Sequence, residues 1–127
     1  MVELTNIELF ESLSSIESGS TIIDLHNSYY CTNIRYDSEE KLFELTFQAT
    51  NSSVVLKFEG AIISKLNLVP RRTEDSSTLN NFYRGRFVVN EEIFEYTSLG
   101  ESFYYIEFEE GDVFEVFARK VFLLELS

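Results

Sequence analysis

After Gly19, hydrophobic and polar residues alternate with a period close to two along most of this chain. In a strand that period sends successive side chains to opposite faces. Leu42-Phe43-Glu44-Leu45-Thr46-Phe47 puts Phe43, Leu45 and Phe47 on one side, and Val54-Val55-Leu56-Lys57-Phe58-Glu59 does the same with Val54, Leu56 and Phe58. Further strands are predicted over 21–25, 29–36, 62–69 (Lys65 and Asn67 outward), 82–89, 93–96, 103–109, 113–118 and 121–126. Between them stand polar turns: Asp37-Ser38-Glu39-Glu40, Asn51-Ser52-Ser53, Asn90-Glu91-Glu92 and the hairpin loop Glu110-Gly111-Asp112, with Gly60 marking a bulge or bend.

The first residues follow a different period. Thr5-Asn6-Ile7-Glu8 spells a capping box, Leu9, Phe10, Leu13 and Ile16 recur at helical spacing, and Gly19 sits where a left-handed C-cap belongs. A helix is predicted over about 6–18, leaning on tertiary packing because Ser12, Ser14 and Ser15 weaken its propensity. The nearly continuous apolar run Val121-Phe122-Leu123-Leu124 predicts a strand covered on both faces, with the helix as one cover. Residues 70–81 form the one long polar stretch and hold the only proline, Pro70, which predicts a mobile surface loop. The fold expected is mainly β: an antiparallel sandwich or open barrel of about seven to nine short strands with one N-terminal helix. All of it fits one domain over 1–127.

Composition supports a packed core. Twelve Phe and seven Tyr stand in a chain of 127 residues, and burying half of those rings gives gross stabilisation on the order of tens of kcal/mol, which chain entropy largely offsets. A single cysteine, Cys31, excludes an internal disulfide framework and a cysteine-cluster metal site. No apolar run approaches the roughly 18 residues of a membrane span. Met1-Val2-Glu3-Leu4 lacks the basic and apolar regions of a secretory signal, so a cytoplasmic location is expected.

Charge changes the picture most. The formal net charge is −12, with 22 acidic and 10 basic residues. Such a chain repels phosphate backbones and anionic membranes and attracts basic proteins in a salt-dependent way. From Phe87 to Ala118 there are nine carboxylates and no Lys or Arg. Interleaved with aromatics, they predict a sheet with one apolar and one anionic face, and Glu107, Glu109, Glu110, Asp112 and Glu115 are the candidate partner-binding residues.

Catalytic candidates are few. Asp24, His26 and Cys31 are close in sequence, but no glycine-rich nucleophile turn accompanies them. Glu107 and Glu109, two apart on one predicted strand face and about 6–7 Å from each other, invite comparison with cation sites and glycosidase carboxylate pairs, yet solvated acid ladders of this kind are routine in small β domains. Arg71, Arg72, Arg84 and Arg86 form the one basic neighbourhood, with Arg84 and Arg86 on one strand face. No phosphate-loop, dinucleotide, zinc-protease or serine-hydrolase motif occurs. No enzyme activity, cofactor or metal is expected.

The segments Leu25-His26-Asn27-Ser28-Tyr29, Ile34-Arg35-Tyr36-Asp37 and Leu56-Lys57-Phe58-Glu59-Gly60-Ala61 resemble, together with Tyr105-Ile106-Glu107-Phe108-Glu109-Glu110-Gly111 and Glu115-Val116-Phe117-Ala118, small uncharacterised bacterial β-rich families. Some of those look like immunity proteins of polymorphic toxin systems. The resemblance spans most of residues 20–118, rests on hydrophobic spelling and carries no catalytic residues. With the net charge of −12, the cation-free stretch from Phe87 to Ala118 and the absence of catalytic motifs, the expected function is a protein-interaction module, an immunity-type inhibitor masking a basic partner with its acidic sheet face. The alternative is a small-molecule binder with an aromatic-lined barrel mouth formed by Tyr29, Tyr104 and Tyr105.

Overall fold

The computed structural model describes residues 1–5, 12–69, 77–85, 88–89, 92–93, 97–98 and 100–126. In chain order the strands are β1 (Val2–Glu3), β2 (Ser15–Ser18), β3 (Thr21–Asp24), β4 (Tyr30–Asp37), β5 (Leu42–Gln48), β6 (Ser53–Glu59) and β7 (Ile62–Asn67). They continue with β8 (Leu79–Arg84), β9 (Val88–Val89), β10 (Glu92–Ile93), β11 (Thr97–Ser98), β12 (Glu101–Phe108), β13 (Val113–Ala118) and β14 (Lys120–Leu126). All pairings are antiparallel. One open sheet runs β1-β14-β6-β5-β4; a second runs β11-β12-β13-β7, with β8 also on β12. β2 and β3 make a separate hairpin, as do β9 and β10.

Alternation decides which faces meet. Phe43, Leu45 and Phe47 of β5, and Leu56 and Phe58 of β6, are fully buried, as are Tyr104 and Ile106 of β12 and Val116 and Ala118 of β13. The sheets touch through rings: Phe43 lies 5.4 Å from Phe114, and Phe58 lies 5.7 Å from Tyr104 and 5.8 Å from Phe82, centroid to centroid. Edge-on and tilted ring pairs of this kind add about 0.5–1.5 kcal/mol each beyond the area they bury.

The predicted N-terminal helix is not found, and no helix occurs among the described residues. Residues 6–11 of that prediction lie outside them; residues 15–18 are strand β2, paired with β3 so that Ile16 opposes Ile23. Tertiary partners override the local pattern. The Leu13 amide donates to the Phe82 carbonyl at 2.6 Å, and the Thr5 hydroxyl, read as a helix cap, accepts from the Val121 amide at 3.0 Å. Gly19 does take a positive φ of 63°, but to turn the β2–β3 hairpin.

Two more expectations are corrected. Among the described residues no helix covers β14, and Phe122 and Leu124 are half-buried on its outer side while Val121 and Leu123 fill the core. Residues 70–76 of the predicted mobile loop lie outside the described residues. Its last residues are ordered into the sheets: Ser77 bridges Cys31, and β8 begins at the fully buried Leu79. No helix of the described residues is long and apolar enough to cross a membrane.

Candidate functional site

The acidic residues singled out by sequence converge on the β12–β13 hairpin and do different things there. β12 ends at Phe108, so Glu109 falls in the turn and does not share a strand face with Glu107 as predicted. Glu107 stands on the outer face, opposite Val113 and diagonal to Glu115. Its Oε1 accepts from the side-chain amides of Asn80 (3.1 Å) and Asn81 (2.8 Å), and its Oε2 from the Tyr105 hydroxyl (2.8 Å). Glu115 faces Lys65 across β7 and Tyr105 across β12.

In the turn, Glu110 Oε1 accepts the Thr78 amide at 2.9 Å, and the Glu109 amide donates to the Thr78 carbonyl at 2.8 Å. Asp112 is only 1% exposed; its Oδ1 accepts the Val69 amide at 2.7 Å and its main-chain oxygen accepts from the Phe108 amide at 2.9 Å. Gly111, at φ 106°, lies against Val69, where a Cβ would come within 2.9 Å of a methyl group. The acidic loop is therefore a clamp that holds Val69, just before the polar stretch, and Thr78, within it, against one hairpin.

The outer face of β12 and β13 is not a plain anionic ladder. Phe103 and Tyr105 alternate with the core residues yet are each only 7% exposed. Phe103 packs edge-on against Phe117 at 5.1 Å, and Tyr105 lies tilted against Tyr83 at 5.3 Å. Aromatic pairs and carboxylates share this face.

His26 joins the site from another element, which no spacing in the sequence announces. Its Nδ1 is 2.6 Å from the Leu79 carbonyl, which can only accept, so Nδ1 carries the proton and donates. That leaves Nε2 directed at Glu109 Oε1, 3.7 Å away. Asp24 turns instead to Asn27, accepting from its amide at 3.0 Å and its side chain at 2.9 Å. Those bonds from Asn27, side chain first, hold the Asp24 carboxyl below its ordinary pKa. Cys31 is a buried thiol whose sulfur lies 3.7 Å from the Asn33 carbonyl. Asp24 thus turns chiefly to Asn27, with His26 as a lesser partner, while the His26 ring addresses the Leu79 carbonyl and the Cys31 sulfur lies by the Asn33 carbonyl. Arg84 donates to the Thr5 carbonyl at 3.2 Å; Arg71, Arg72 and Arg86 lie outside the described residues.

Tyr104 and Tyr105 do not line a mouth: Tyr104 is fully buried between Phe58 and Phe82, and Tyr105 is the covered ring described above. Tyr29 is half-buried and shares a hydrogen bond with Ser52 at 2.9 Å. A cleft of about 380 Å³ does open between β1 and the β2–β3 hairpin, lined among the described residues by the aliphatic Val2, Leu4, Leu13, Ile16 and Ile22 with Ser12, Ser15 and Glu17. Among the described residues, no group of three or more His, Cys, Asp or Glu side chains is placed to hold a metal ion. No protein-family model, curated protein or solved structure matches this chain.

Proposed function

We propose that this chain is an acidic protein-interaction module, an immunity-type inhibitor that docks a basic partner on the carboxylates around the β12–β13 hairpin. One observation carries the reading: five carboxylates gather around this hairpin, and hydrogen bonds hold Glu107, Glu110 and Asp112 in place. Backbone amides, Asn side chains and a phenol are among the donors that fix Glu107, Glu110 and Asp112.

A preorganised anionic surface loses little side-chain entropy on docking and speeds encounter with a cationic one. Glu109 and Glu110 are exposed and Glu107 and Glu115 half-exposed, so these four make the contact. Asp112 lies beneath them and supports the loop. A net charge of −12 supplies the long-range field.

The test is co-purification from cells that express the adjacent gene, followed by association kinetics with whatever protein is recovered. Replacing Glu109 and Glu115 by Gln should slow association several-fold, and raising salt from about 50 to 500 mM should slow the parent protein comparably. A partner whose association rate ignores both salt and the substitutions, or no protein partner at all, refutes the proposal.

A further inference from the structure

His26, the only histidine of the chain, stands in the turn between β3 and β4, and that turn is tightly tied. The Ser28 amide donates to the Asp24 carbonyl at 3.0 Å, and Asn27 adds its two bonds to the Asp24 carboxylate. Leu25 anchors the turn from below: it is fully buried, and its amide donates to the Ser14 carbonyl at 2.7 Å. The imidazole is itself held, since Nδ1 donates to the Leu79 carbonyl at 2.6 Å.

With the proton on Nδ1, the neutral ring offers only a lone pair at Nε2. That lone pair faces Glu109 Oε1 at 3.7 Å, and a carboxylate oxygen also only accepts. Two acceptors confront each other, and no hydrogen bond joins them. A proton on Nε2 turns the same geometry into an ion pair, while the bond to Leu79 persists because an imidazolium donates from both nitrogens. Only the Glu109 side chain, itself in an exposed turn, has to move for the pair to close. Exposed ion pairs usually gain little because two flexible side chains must be ordered. Here one of the two is already fixed. Among the described residues, His26 is also the one cation-forming side chain within ion-pair distance of Glu109. Two other charged groups stand around the ring. Asp24, at the end of β3, is held below its ordinary pKa first by Asn27 and in smaller measure by the His26 amide and ring charge. Glu110 takes the Thr78 amide one residue before Leu79, and β8 itself contributes the Leu79 carbonyl.

We propose that His26 is a proton-operated latch on the acidic surface: its protonation draws Glu109 onto Nε2 and takes that carboxylate out of the set that meets a basic partner. The inference rests on the docking role proposed above for Glu107, Glu109, Glu110 and Glu115. Histidine side chains ordinarily change charge between about pH 8 and 5, whereas carboxylates ordinarily do so near ~4. Mild acidification therefore closes the latch and loosens the partner without discharging the surface as a whole.

Two measurements test it. On the free chain, NMR between about pH 8 and 5 follows the His26 imidazole and the Glu109 side-chain carboxyl carbon. The Glu109 signal should move in step with the imidazole. The movement should vanish in His26→Asn, whose amide keeps a donor near the position of Nδ1 and has nothing to protonate. A Glu109 signal that stays still while His26 takes up its proton, or that moves equally in His26→Asn, overturns the latch. For the second measurement a lysine decamer is the basic probe, its affinity compared at about pH 7.5 and about pH 5.5 at one ionic strength. The parent should bind about two- to threefold more weakly at the lower pH, close to the loss that Glu109→Gln alone shows at the higher, and His26→Asn should bind alike at both. A parent that binds alike at both pH values, or an equal pH dependence in His26→Asn, overturns the regulation. A decamer that binds at neither pH tells against the docking reading alone, and the free chain still decides the latch.

Discussion

Replacing Asp112 separates a carboxylate that holds the fold from one that merely faces solvent. In the folded chain it is 1% exposed and accepts the Val69 amide at 2.7 Å. A hydrogen bond to a charged group contributes about 1.5–3 kcal/mol net, and a donor stranded by its removal costs a similar amount. Val69 is 40% exposed, so water replaces part of the lost acceptor, and Asp112→Ala should cost about 2 kcal/mol. Asp112→Asn keeps an oxygen at the same point and loses only the charge, which should cost about 1 kcal/mol. In urea, with a slope of about 2 kcal/mol per molar, the alanine variant should unfold at a midpoint ~1 M lower and asparagine about half that, with the slope unchanged. A midpoint shift below ~0.2 M for alanine, or equal shifts for both variants, would refute the clamp.

Glu107→Ala should cost about 1–2 kcal/mol, because three donors lose their acceptor, while Glu109→Gln should leave unfolding within about 0.5 kcal/mol of the parent; chemical denaturation of the two variants should rank them in that order, and the reverse order would show that strand-face repulsion governs this hairpin. Asn27→Ala should raise the Asp24 carboxyl toward its ordinary value, read by carboxyl NMR titration. Because the Asn27 bonds stabilise the ionised form, their contribution is complete above the unfolded value near ~3.9 and is lost as pH falls through the lower folded value. An Asp24 titration that does not move in the variant would exclude Asn27 as the cause.

What the sequence carries well is burial that alternates in a single strand. Phe43, Leu45, Phe47, Leu56 and Phe58 face inward as their spacing requires, because a two-residue period admits one assignment of faces. It fails where a residue's partner lies far away in the chain. Leu13 and Ile16 are three apart and satisfy a helical template, yet one is held by Phe82 and the other by Ile23. Leu79, isolated among Ser, Thr and Asn, looks like loop although it is fully buried. The acidic residues were legible as a group but not in their separate tasks, since a carboxylate that accepts a remote amide and one that faces water are spelled alike. His26 meets Leu79 and Glu109 only through topology. No local pattern marks the meeting.

β4 and β7 end their respective sheets among the described residues, and the Tyr36 hydroxyl of β4 donates to the Ala61 carbonyl beside β7, so both rims lie on one side of the molecule. A straight, apolar rim would template the addition of strands from other chains, and exposed Ile62 and Leu66 would favour it. Each rim instead carries an extra residue that breaks its register, Thr32 in β4 and Ser64 in β7. Each also presents a cation, Arg35 or Lys65, which a second copy of the same rim would have to bring against its own. The irregularities that complicate the hydrogen-bond ladders thus serve as guards against fibril growth, keeping a chain rich in strands and aromatic rings from extending its sheets without limit.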